Sequence, residues 1–236
     1  MTSPRWFQMM LSVLFVCACG IPALAQSVDR AQLEKEIQTA YEQIKAKEAL
    51  FLHVTAEDKA TYAEFLQQPN TGLIRLLPRE KYDGKLSIRG GGAYYSFVRL
   101  THEYGHGSDI ELQQGKLGVG FAGMDFGFFG LLGDVLLEKV TLESPAVRQM
   151  AAYQSPPTEP EARAQHRQAY YGIKMGEFSY TSSIAATVGM TYALRSLSYS
   201  DSDLLVAFRV VRRDQDGSLI LLWKMLKEFP APTVTR

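Results

Sequence analysis

The chain has 236 residues, with 25 Lys and Arg balanced by 25 Asp and Glu. That balance, with no basic run interleaved with aromatics, argues against nucleic acid as a partner. Both cysteines, Cys17 and Cys19, lie in the first twenty residues, so the rest of the chain has no disulfide, thiol nucleophile or cysteine-bound metal.

Residues 1–25 read as a cleaved signal peptide. Arg5 supplies the positive start, an apolar run follows from Met9 to Cys19, and Ala23-Leu24-Ala25 places cleavage before Gln26. The run is short for a membrane span. Lipidation at Cys19, which would make the protein an anchored lipoprotein, matches poorly, because Cys17 stands where a small residue is wanted. The expected location is periplasmic or extracellular, with no transmembrane segment in the mature chain. Residues 26–236 suffice for one domain with a substantial core.

Asp29 is a helix cap with Gln32 as its partner. Leu33, Ile37, Ala40, Tyr41 and Ile44 then form an apolar stripe at helical spacing, opposite Glu34, Lys35, Gln38, Glu42 and Lys45. This predicts an amphipathic helix from about Arg30 to Leu50, packed on its own domain. Thr55 opens a shorter helix with Glu57 and Asp58 in its first turn, ending before Pro69-Asn70-Thr71-Gly72.

Short strands are expected at Leu73–Leu77 and Lys85–Ile88, and longer ones at Ala93–Leu100 and Ile110–Phe121. Gly120–Leu137 is the most apolar stretch after the signal. Its glycines and the interrupting Asp125 and Asp134 suit buried strand and tight turn. Ser144-Pro145 starts a short helix. Residues 153–165 form a Pro- and Glu-rich connector leading into a short helix near His166.

The clearest signal is C-terminal. Leu204–Val211 and Leu219–Leu226 flank the hairpin loop Asp214–Gly217. Folding about that loop sets Phe208 opposite Trp223, Val206 opposite Met225 and Val210 opposite Leu221, all on one face. Tyr192–Tyr199 adds a third strand through the turn at 200–203.

One stretch carries candidate chemistry. "THEYGHGSD", Thr101–Asp109, contains His-Glu-x-x-His. On a helix, His102 and His106 would share one face and could reach one zinc, with Glu103 as the base for the metal-bound water. These five residues resemble the metal-binding signature of the zincin metallopeptidases, and the resemblance covers no more of the chain. It implies zinc held by His102 and His106, and Glu103 as the catalytic residue. The third ligand is missing: Asp109 and Leu112 stand where the metzincin extension has glycine and histidine, Glu111 is too close, Glu138 lies in strand-like sequence, and His166 fits no pattern. The surroundings suit a β-hairpin better. Gly90–Gly92, Gly105 and Gly107 disfavour a helix, "AYYSFVRL" suits a strand, and "GHGSD" is turn chemistry. In that reading Glu103, His106 and Asp109 could still serve a ligand or an ion.

No G-x-S-x-G elbow, P-loop or G-x-G-x-x-G after a strand is present. The expectation is therefore an α+β protein, a single domain over 26–236, with N-terminal amphipathic helices packed on a curved, mainly antiparallel β-sheet. Its leading function is a non-catalytic module binding a partner protein or small-molecule ligand without a cofactor. The alternative is a zinc metallopeptidase using residues 102–106.

Overall fold

The computed structural model describes residues 29–234. Residues 1–25, expected to be a signal peptide, and with them both cysteines, lie outside the described residues. The chain divides into two compact units, residues 1–39 and 40–236, the division falling within the first helix.

In the first unit, Asp29 caps α1 (Arg30–Leu52) by accepting the N–H groups of Ala31 at 3.0 Å and Gln32 at 3.3 Å. The Gln32 side chain bonds Glu36 rather than completing a capping box. The apolar stripe is a correction to expectation: Leu33, Ile37, Tyr41 and Ile44 are all exposed. The one buried side chain of the helix is Glu48, whose carboxylate accepts the Ser87 N–H at 2.6 Å and the Ser87 hydroxyl at 2.5 Å.

Thr55 and Asp58 form a reciprocal capping box on α2 (Ala56–Thr61). The one-turn α3 (Ala63–Leu66) follows, then β1 (Thr71–Leu76) and α4 (Arg79–Tyr82). No strand forms at Lys85–Ile88. The amides of Lys85 and Leu86 bond the Tyr82 carbonyl and that of Ser87 bonds Glu48, so three of the four amides are taken from a ladder.

The stretch 93–121 makes three short strands. They are β2 (Tyr94–Tyr95), β3 (Ile110–Gln113) and β4 (Lys116–Gly118). The expected strand to Leu100 stops early because the Phe97 amide donates to the Asp109 carboxylate. Gln114 and Gly115, both at positive φ (50° and 73°), close the β3–β4 hairpin.

Then come β5 (Asp125–Gly133), a 3-10 turn at Leu137–Lys139, α5 (Pro145–Ala152) and α6 (Glu159–Tyr171). The helix claims residues 159–165, so the connector is shorter than expected. Three small strands were not foreseen: β6 (Ile173–Met175), β7 (Phe178–Thr181) and β8 (Ser183–Ala185). The chain ends in β9 (Thr191–Ser198), β10 (Ser202–Arg213) and β11 (Leu219–Phe229). The β10–β11 register pairs Phe208 with Trp223, Val206 with Met225 and Val210 with Leu221, as the loop requires.

The fold is α+β, and the described strands form two antiparallel sheets. One has seven strands in the order β1-β11-β10-β9-β5-β7-β6; the other has four, β2-β3-β4-β8. Alternation along each strand sorts side chains into two cores. Ile74, Tyr95, Ile110, Leu117, Phe129, Leu194, Phe208 and Trp223 fill the space between the sheets. Phe65, Phe128, Val147, Met150, Ala162 and Leu205 belong to the core that α3, α5 and α6 share with the opposite face of the larger sheet. On that helix-covered side, buried Arg195 donates to both Asp203 oxygens at 2.6 and 2.8 Å. The pair leaves no buried charge uncompensated.

Candidate functional site

Residues 96–109 connect β2 to β3. Their outer part helps line an open groove of about 460 Å³. One wall is β1 and the residue before it, from Asn70 to Ile74. The floor is aromatic, made by Tyr95, Phe97 and Trp223. Val98, Leu100 and Met225 line it too, with Glu228 as its charged member. This size and mixed lining match those of small-molecule and peptide sites.

Several features mark the groove. Leu100 is 61 % exposed and sits at φ 54°, a backbone region that costs a branched apolar residue about 1–3 kcal/mol. Asn70, at the other wall, is also at positive φ (58°). Trp223 is only 4 % exposed. Its indole lies so close over Gly72, its cross-strand partner, that a Cβ there would meet Nε1 at 2.5 Å. Nε1 has no hydrogen-bond partner among the described residues.

Of the residues singled out in the sequence, His102 and Asp109 brace this wall. No helix forms at 101–109; the chain is irregular apart from a bridge at Thr101. His102 Nε2 lies 2.9 Å from the Arg75 carbonyl. A carbonyl only accepts, so Nε2 carries the proton. The ring also packs edge-on against Tyr95 at 4.9 Å. Burial lowers the His102 pKa to about 4, opposed by the bond to Arg75, so the ring is neutral at pH 7.

His106 goes elsewhere. Its Nδ1 is 2.7 Å from Asp125 Oδ1, and its side chain is 46 % exposed. Asp125 also accepts the Ser198 hydroxyl at 2.8 Å and the Gly107 amide at 3.1 Å. Burial raises its pKa, against these bonds and the nearby His106. Glu103 is exposed, and its backbone carbonyl accepts the Ser108 hydroxyl at 2.8 Å. The two rings therefore point to separate partners, and among the described residues no three His, Asp or Glu side chains lie together as a ligand group.

Asp109 is the central anchor. It is fully buried, accepting the Phe97 amide at 2.7 Å and the Ser196 hydroxyl at 2.6 Å. Burial pushes its pKa up to about 6, against those two bonds, with the Asp125 charge adding to the rise. Arg99 fastens the same segment, donating to Asp201 at 2.6 Å and to the His106 carbonyl at 3.0 Å. Sequence reasoning found Asp109, His102 and His106, but as ligands to something external. It missed the β1 wall, Val98 and Leu100, because a groove formed by segments over a hundred residues apart leaves no local signal.

Compared with protein families, curated proteins and solved structures, the chain matches none. Among the described residues, no helix is long and apolar enough to cross a membrane.

Proposed function

We propose that the protein is an exported, non-catalytic binding module whose ligand seats in the groove between β1 and the 97–100 turn. The observation that carries this reading is the groove itself: about 460 Å³, floored by Tyr95, Phe97 and Trp223. Its wall is held in advance by Asp109, Arg99 and His102, and pre-organisation of this kind lowers the ordering cost of binding. Register shifts between β10 and β11, with Leu226 the extra residue on β11 and Val211 the extra residue on β10, support the curvature expected of the larger sheet, since bulges bend a strand and increase its twist. Export rests on the Arg5, Met9–Cys19 and Ala23-Leu24-Ala25 pattern.

The test uses a built-in reporter. The chain has two tryptophans, Trp6 and Trp223, so protein beginning at Gln26 carries only the one in the groove. Titration with 1-anilinonaphthalene-8-sulfonate should quench Trp223 emission saturably. Leu100→Arg, at an exposed rim position, should weaken this at least tenfold without altering thermal unfolding. Quenching that does not saturate, or that Leu100→Arg leaves unchanged, would remove the groove as the binding site.

A further inference from the structure

We infer that the groove takes an extended peptide, added as a strand to the free edge of β1, apolar at alternate positions and carrying a basic residue beside them. The inference rests on the groove being the binding site and adds the chemistry of its occupant.

The backbone of β1 carries the argument. In an antiparallel pair, successive residues alternate between pointing their N–H and C=O at the partner strand and away from it. The Met225 amide donates to the Asn70 carbonyl at 2.8 Å. The register then turns Asn70, Gly72, Ile74 and Leu76 toward β11, and Thr71, Leu73 and Arg75 outward. Two further bonds agree: the Arg75 carbonyl receives His102, and the Leu77 amide reaches outward to Gly92. The outward N–H and C=O groups of Thr71 and Leu73 have no backbone partner among the described residues.

This edge is a slot with defined ends. His102 closes it at Arg75, and Asn70, at φ 58°, ends the strand on the other side. Blocking part of an edge and leaving the rest open is how a sheet restricts strand addition to one register. The open part faces the aromatic floor, because Thr71, Gly72 and Leu73 line the same groove as Tyr95, Phe97 and Trp223. A strand paired with Thr71 and Leu73 would turn alternate side chains toward that floor. Glu228 is the charged side chain of the lining and is exposed, so charge complementarity selects a cationic neighbour.

The probe is the capped peptide Lys-Val-Thr-Val-Thr-Val, titrated into protein beginning at Gln26 and followed by Trp223 emission. Two versions carry N-methyl groups on alternate amides, one on each set. A strand presents alternate amides to opposite edges, so one version keeps its bonds to β1 and the other loses them. The expected result is saturable binding by the parent and by one methylated version, with loss of at least tenfold in the other. Glu228→Gln should weaken parent binding a few-fold. Leu73→Pro should abolish peptide binding while anilinonaphthalene sulfonate still binds, because the lost N–H faces away from β11. Equal affinity for the two methylated versions would overturn strand addition. Anilinonaphthalene sulfonate binding without peptide binding would overturn it too and leave the groove reading standing. Failure of both probes would remove both.

Discussion

Asp109→Asn should uncouple the stability of the protein from pH in a defined window. The folded carboxyl has its pKa raised from 3.8 to about 6, with burial as the largest cause. The native state therefore holds this proton more tightly than the unfolded chain. Its contribution is fully present below pH 3.8 and is lost as pH rises through about 6. Roughly two pH units at about 1.4 kcal/mol each make the loss about 3 kcal/mol. Asparagine can keep both contacts, its carbonyl accepting from Phe97 and its amide donating to Ser196, without ever ionising. His102 works in the opposite direction over the same range: its pKa is lowered from 6.5 to about 4, so its contribution is lost as pH falls. The wild-type profile alone is therefore shallow, and the informative quantity is the difference between variant and wild type. Urea unfolding at intervals from pH 4 to pH 7 should show that difference moving in favour of Asp109→Asn by about 3 kcal/mol. A difference constant within about 0.5 kcal/mol would mean that the bonds from Phe97 and Ser196 outweigh burial, and would refute the account of this anchor.

Gly72→Ala should destabilise the fold by about 1–3 kcal/mol and shift Trp223 emission, since the new Cβ would meet the indole at 2.5 Å; urea titration with fluorescence detection reads both. Glu103→Gln should change stability by less than about 0.5 kcal/mol, and elemental analysis of wild-type protein purified without added zinc should find no stoichiometric metal; one equivalent of zinc, lost in His102→Ala and His106→Ala, would restore the peptidase reading. Thr55→Ala should cost about 1 kcal/mol by opening the capping box with Asp58. Intact-mass measurement of protein from its native host should show a chain starting at Gln26; a mass that includes residues 1–25, or a lipid on Cys19, would refute the assigned cleavage.

Local chemistry in the sequence determined the elements whose partners are close along the chain. The β10–β11 register follows from one loop, Asp214–Gly217, and from strict alternation on either side, so Phe208 and Trp223 could be paired before any fold was known. The caps at Asp29 and Thr55 and the proline start of α5 are likewise decided within a few residues. The glycines around His102 and His106 spoke against a helix for the same reason, since backbone preference acts residue by residue. Only the tertiary structure decided what those segments meet. That α1 leaves its stripe exposed, that Ser87 gives its amide to Glu48, and that Asp109 ends β2 by taking the Phe97 amide all depend on what lies outside each segment. The groove is the extreme case. Asn70, Leu100 and Trp223 come together because one sheet edge lies beside a turn belonging to another sheet. Long-range packing sets that juxtaposition, and no periodicity within any single segment records it.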